Sequence, residues 1–182
     1  MGYRKHYGVD GILGRFDNKY GKEVDMHYPK GYVGCDKIGR PLYIEQSGNI
    51  NANELLKIVD EEYIHQALIF SYEKIVKHIF YSCSHHFQKQ IFHNVTILDM
   101  TNFSIKKQFG KNIRAMLKFS SKIMQDNYPE QLGRMFVINI TMLFKQVWNV
   151  VKAFLDEKTR QKFRLVYPSK VKTTLIEFID EE

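Results

Sequence analysis

Residues Tyr128–Phe163, YPEQLGRMFVINITMLFKQVWNVVKAFLDEKTRQKF, constrain the fold more than any other stretch of the chain. A charged turn leads into a strand at Gly133–Ile140 whose centre is apolar throughout. Such a strand reads as buried on both faces. A nearly all-apolar helix follows at Thr141–Leu155, and then a second charged turn. A buried strand feeding an apolar helix calls for a layered structure in which helices cover a sheet. The two turns carry Glu130 at one end and Thr159 and Lys162 at the other. That order suits a pocket with an apolar interior and a polar rim.

The remaining segments extend the pattern. Arg40–Gln46 reads as a strand with Leu42 and Ile44 on one face, and Ile91–Met100 as a second strand. Asn51–Ile58 is a short helix capped by Asn51 or Asn53. Glu61–Ser84 is a long helix, with Ile64, Leu68, Ile75 and Ile79 at helical spacing. Lys106–Gln125 is another helix, Phe163–Tyr167 a further strand, and Lys170–Phe178 a helix after the break at Pro168. Gly and Pro cluster at Tyr28–Pro41, which reads as loop and turn. Helices alternate with strands after residue 40, which predicts an α/β fold with a mostly parallel or mixed sheet.

Composition narrows the function classes. A chain of 182 residues, 44% hydrophobic, is one domain with a real core and is not disordered. Its 13 Phe and 11 Tyr suit a core or cavity lined with rings. The polar N-terminus reads as no signal peptide. No apolar run reaches the roughly 18 residues of a membrane span. Cys35 and Cys83 mark no disulfide framework, so a reducing compartment is expected. A net charge of +7 favours anionic partners, either nucleic acid or an anionic membrane surface.

Motifs for covalent chemistry are absent. The chain has no GxSxG, no P-loop and no nucleophile with an evident base. Gly31, Gly34 and Gly39 are too scattered for a phosphate cradle. His85, His86 and His93 lack metal-ligand spacing, so no metal is expected. Two basic features remain. Lys107, Lys111, Arg114, Lys118 and Lys122 recur at spacings of four, three, four and four and form one stripe, opposite Phe109, Ile113, Met116, Ser120 and Ile123. It is either a solvated face or a docking face for an anionic bilayer. Lys145, Asn149 and Lys152 make a thin polar stripe on a helix otherwise carrying Phe144, Val147, Trp148, Val151 and Phe154. That helix is either central core or an interfacial lid.

YPEQLGRMFVINI and FLDEKTRQKF, with GRPLYIE at Gly39–Glu45 and VTILDM at Val95–Met100 upstream, occur in an order that resembles the CRAL-TRIO lipid-binding domain. The likeness is to its phosphatidylinositol- and phosphatidylcholine-transfer branch. YRKHYGVDGIL at Tyr3–Leu13 resembles the last helix of that family's N-terminal lobe, with Tyr3 where Trp is usual. The resemblance implies a sheet flooring a hydrophobic lipid cavity, with helices packed outside and an apolar gating helix at Thr141–Leu155. It implies a division into residues 1–27, a remnant of the helical lobe and its connection, and residues 28–182, the lipid-binding domain with its C-terminal end truncated. Most of the lobe, with an arginine that contacts the headgroup, is expected to lie outside this chain.

The same resemblance implies site residues. Glu130, Thr159 and Lys162 match inositol-phosphate headgroup contacts. Tyr32, Tyr43 and Tyr72 match rings around a choline headgroup, and Thr96 matches a hydroxyl on its phosphate. Asn94 stands where the choline-binding members carry Ser. Asp99 reads as structural. The implied activity is binding one phospholipid and exchanging or presenting it between membranes, without catalysis and with no cofactor beyond that lipid. A monomer is implied, cytoplasmic and peripherally membrane-associated, touching an anionic membrane transiently and no nucleic acid. A CRAL-TRIO module carrying a retinoid or tocopherol, or serving only in membrane targeting, is the first alternative. An α/β hydrolase-like enzyme is the second.

Overall fold

The computed structural model describes residues 2–105 and 110–181. Among the described residues five strands form one sheet in chain order: β1 (Lys30–Cys35), β2 (Pro41–Glu45), β3 (Asn94–Asp99), β4 (Leu132–Ile138) and β5 (Phe163–Leu165). β1 and β2 pair antiparallel, and every later pairing is parallel. The alternation of helix and strand after residue 40 thus produces the expected mixed, mostly parallel sheet.

The helices in chain order are α1 (Tyr3–His6), α2 (Ile12–Arg15), α3 (Gly21–His27), α4 (Ala52–Ile58), α5 (Glu61–Lys74), α6 (Phe80–His86), α7 (Lys111–Asn127), α8 (Phe144–Val151), α9 (Glu157–Arg160) and α10 (Val171–Leu175). The α4 cap is Asn51, whose Oδ1 accepts from Glu54 N at 3.3 Å. Asp60 caps α5 by accepting from Tyr63 N at 2.8 Å. The long Glu61–Ser84 helix is continuous but passes through a π-helical turn at Ile75–Ile79 between α5 and α6.

Side chains alternate across the sheet with period two. Leu42, Val95, Ile97, Phe136, Ile138 and Val166 form the back face, and Val171, Leu175, Phe178 and Ile179 of the C-terminal segment pack on it. Phe178 lies 5.2 Å from Phe136, ring to ring. The front face carries Tyr43, Thr96, Leu98, Met135, Val137, Phe163 and Leu165. Its distal end is covered by α8, through Phe144, Val147, Trp148 and Val151. Residues 3–16 cap α5, with Val9 and Ile12 buried against Ile69.

Two expectations need correction. Tyr28–Pro41 contains the edge strand β1 rather than only loop: Gly31 and Gly34 hide its strand character, and a register shift between Tyr32 and Gly34 bends it. The tight connection to β2 turns at Gly39, whose φ of +81° suits glycine. Thr141–Leu155 is regular α-helix only at Phe144–Val151, extended by a 3₁₀ turn at Lys152–Phe154. Thr159 and Lys162 are joined by one hydrogen-bonded turn at the end of α9, Lys162 N donating to Thr159 O at 3.1 Å. Lys107 and Phe109, and the start of the Lys106–Gln125 helix, lie outside the described residues.

Candidate functional site: an aromatic chamber and a charged cleft on the front face

The hairpin β1–β2 sets one ring directly against another. Tyr32 and Tyr43 are register partners, with ring centroids 5.1 Å apart. Thr96 on β3 is the parallel partner of Tyr43. Tyr72 arrives from α5 and stacks on Tyr128 at 4.7 Å. Asn94, two residues before Thr96 on the same face, reaches Thr96 Oγ1 through Nδ2 at 3.4 Å. Its Oδ1 is buried with no hydrogen-bond partner among the described residues, an open acceptor beside the rings. All five residues matched to a choline site therefore lie in one neighbourhood.

The electrostatics describe the shape of that neighbourhood. Burial pushes the phenols of Tyr32 and Tyr72 well above their ordinary value, and does the same to Tyr28 and Tyr43. Yet none of these residues is fully buried, and Tyr32 keeps 38% of its surface accessible. The rings are thus crowded by neighbouring atoms and still reachable from solvent on the front face.

Three members of this chamber carried no signal in the sequence reading. Lys30 is the register partner of Glu45, at the open end of the hairpin. The Lys30 Nζ lies 3.7 Å from the centroid of the Tyr28 ring. Burial pulls the Lys30 ammonium below its ordinary pKa, against the opposing pull of Glu45 and Asp25. Glu45 accepts from Ser47 Oγ at 2.7 Å. Once β1 is read as a strand, alternation alone places Lys30 with Tyr32, and Glu45 with Tyr43, on the chamber side.

A second concavity of about 110 Å³ opens at the ends of β4 and α9. It is lined by Glu130, Thr159 and Lys162 together with Gln131, Asp156 and Lys158. Glu130 lies 3.6 Å from Lys162 and is also paired with Lys158. The hydrogen bond from Lys158, then the Lys162 charge, hold its carboxyl below the usual range. Thr159 is committed to capping α9: its N–H and hydroxyl both donate to Asp156, at 2.8 and 2.7 Å. Its hydroxyl can still accept. The Gln131 Oε1 is a second buried acceptor with no partner among the described residues. The two concavities share a backbone link, Asn94 N donating to Gln131 O at 2.8 Å. A larger groove of about 370 Å³ lies on the back of the sheet, between β5 and α10. The ion pair of Arg164 with Glu177, at 3.0 Å, spans it.

The remaining sites divide by exposure. On α8, Phe144 and Val147 are buried core, Trp148 packs 5.0 Å from Phe163, and Lys145, Asn149 and Lys152 face outward. Phe154 is half-buried beyond the helix end. Met142 and Leu143, just before α8, are 68% and 61% exposed. Lys111, Arg114, Lys118 and Lys122 are exposed along α7, and Lys122 pairs with Asp126 at 2.7 Å. Asp99 accepts from Thr101 N, Thr101 Oγ1 and Asn139 Nδ2 at 2.7–2.9 Å. Burial raises its pKa, but these donors outweigh that and hold it low, as befits a loop-organising carboxylate. Among the described residues no helix is long and apolar enough to cross a membrane.

Comparison with known proteins places this geometry in context. Residues 25–182 match the CRAL/TRIO domain family. The phosphatidylinositol/phosphatidylcholine transfer protein SFH7 of Arabidopsis thaliana is 40% identical over 178 residues, which are 98% of this chain and 32% of that protein. The SEC14 cytosolic factor of Yarrowia lipolytica is 37% identical over 96% of this chain and 35% of its own length. The Sec14 cytosolic factor of Schizosaccharomyces pombe is 34% identical over 97% of this chain and 61% of its own. The chain thus spans about a third of the first two and under two thirds of the third. The crystal structure of Sfh5 superposes with a TM-score of 0.73 at 20% identity, covering 95% of this chain and 58% of that one, a likeness of fold.

Proposed function

The chain belongs to the CRAL/TRIO domain family, and from that premise we propose that it binds one phospholipid on the front face of its sheet and exchanges it between membranes. The observation that carries this reading is the cluster of partly accessible tyrosines on the front face, Tyr32 against Tyr43 at 5.1 Å beside Thr96, and Tyr72 against Tyr128 at 4.7 Å. A chamber lined by rings attracts a headgroup cation to ring faces and leaves polar groups for its phosphate. We assign the choline headgroup to Tyr32, Tyr43 and Tyr72, with Asn94 and Thr96 on the phosphate. We assign an inositol phosphate to Lys162 and Thr159, with Glu130 accepting from ring hydroxyls. SFH7, a phosphatidylinositol/phosphatidylcholine transfer protein by name, supports a ligand of these two lipid classes.

Acyl chains would lie between α8 and the sheet, where Leu98, Met135, Trp148, Phe163 and Leu165 keep accessible apolar surface. Burying them stabilises the complex by ~0.8 kcal/mol per CH₂. Exchange then requires α8 to leave the sheet at a membrane, with Met142 and Leu143 meeting the bilayer first and the basic stripe of α7 drawing the protein to anionic lipid. No covalent step is needed, so the reading is a carrier and not an enzyme. It works as a cytoplasmic monomer that touches membranes transiently. Residues 28–182 are assigned as the lipid-binding domain, and residues 1–27 as a remnant of an N-terminal helical lobe with its connecting segment.

Lipid extraction from the purified protein, followed by mass spectrometry, tests the reading. Phosphatidylinositol or phosphatidylcholine at about one per chain is expected. A retinoid or tocopherol in that ratio, or protein that takes up no phospholipid from vesicles, overturns it.

A further inference from the structure

The aromatic chamber already contains a cation. Lys30 and Glu45 face each other across the first pair of the β1–β2 hairpin, and Tyr32 and Tyr43 do so two residues further along the same face. Lys30 stands at the exposed edge of the hairpin, yet its side chain folds back over a ring. Its Nζ sits 3.7 Å from the centre of the Tyr28 ring, within the range of a cation–π contact. The Tyr28 phenol in turn lies beside the Glu45 carboxylate and near Tyr43 and Tyr72. One ammonium therefore rests among the rings that a headgroup cation would seek, with Glu45 as its counter-charge.

We infer that Lys30 is a specificity-determining residue of the chamber, weakening its hold on a quaternary ammonium headgroup and favouring a phospholipid whose headgroup is a bare phosphate. Two like charges held over neighbouring rings repel, and each ring face serves one cation at a time. A choline group entering the chamber must displace the Lys30 ammonium from Tyr28 or endure it nearby. A phosphate without a fixed cation meets the reverse condition, because Lys30 becomes its ion-pair partner. Thr96 and the Asn94 amide supply hydrogen bonds to either lipid and do not distinguish them. This inference rests on the proposed phospholipid reading of the same chamber.

The test uses the full chain and two vesicle preparations, one doped with labelled phosphatidylcholine and one with labelled phosphatidic acid. Uptake is measured for the unaltered protein, Lys30→Gln, Lys30→Met and Lys30→Arg. The neutral variants should raise the ratio of phosphatidylcholine to phosphatidic acid roughly fivefold or more, the scale of one cation–π contact. Lys30→Arg should keep the original ratio. Two neutral replacements guard against one that does not fold, and a role in folding alone would lower both uptakes together. A ratio unchanged within twofold, with both lipids still taken up, overturns the inference and leaves the phospholipid reading intact. Uptake of neither lipid by the unaltered protein overturns both.

Discussion

A single ammonium decides how the charged cleft behaves. Lys162 is mostly buried and lies 3.6 Å from Glu130, so it is held in place and partly desolvated. Lys162→Ala should lower phosphatidylinositol transfer by about 1.5–3 kcal/mol of binding, the worth of a charge-assisted hydrogen bond. Phosphatidylcholine transfer by the same variant should be nearly unchanged, since its headgroup is assigned to other residues. Equal loss of both activities in a folded variant would show the cleft to be misassigned. In the chamber, Tyr43→Phe and Tyr72→Phe should retain more phosphatidylcholine transfer than the corresponding alanines, because the ring face attracts the cation. If phenylalanine is as harmful as alanine, the hydroxyls are the working groups. Tyr72 is the sharper case, as its ring also stacks on Tyr128.

At the scale of an element, α8 divides into two parts with opposite expectations. Phe144 is 4% exposed within the cluster over Val137 and Ile140. Phe144→Glu buries an unpaired charge and should unfold the protein or lower its melting point sharply. Met142→Glu together with Leu143→Glu alters side chains already in water. That pair should leave the melting point within a few degrees of the original while reducing association with liposomes. Thermal melts and liposome flotation separate the two. Normal flotation by the Met142/Leu143 variant would remove this end of α8 from the membrane contact. Reversing Lys145 and Lys152 to Glu should weaken binding to anionic vesicles, by about 1 kcal/mol per residue close to the surface, and change little with neutral ones.

The whole molecule is tied together by a buried carboxylate. Glu73 on α5 is 3% exposed and takes Arg4 at 3.2 Å, Lys77 at 3.2 Å and the Tyr128 hydroxyl at 3.0 Å. It thereby joins the N-terminal segment, the long helix and the approach to β4. Burial raises its pKa, but these three donors outweigh it and leave the native value lowered. The stabilising share of Glu73 is therefore complete above the ordinary carboxylate pKa and is lost as pH falls through the lowered native value. Glu73→Gln should cost about 1–3 kcal/mol at neutral pH, and the gap should close in acid. Melts of both proteins from pH 7 to pH 3 measure this, and a gap that stays constant would mean that the charge is not what matters. Phe136 supplies the contrasting control from the back face. Phe136→Ala should cost about 3–5 kcal/mol of stability without altering the ratio of lipids taken up.

The sequence by itself determined the class of fold, the order of most strands and helices and the family. Those follow from period, caps and short apolar runs, which are local properties that neighbouring residues carry along the chain. Asn51 as the α4 cap, the break at Pro168 and the one-faced pair Leu42 and Ile44 are of this kind. Proximity was not local. Glu130 meets Thr159 and Lys162 at one cleft only because the start of β4 and the end of α9 lie side by side. Lys158 joined the same cleft by reaching Glu130 from twenty-eight positions away. β1 stayed hidden because its glycines carry turn propensity, and only pairing with β2 makes it a strand. With β1 hidden, Lys30 and Glu45 were two ordinary charges. The tertiary structure alone set them face to face among the tyrosines, because a sheet's register is fixed by partners distant in sequence.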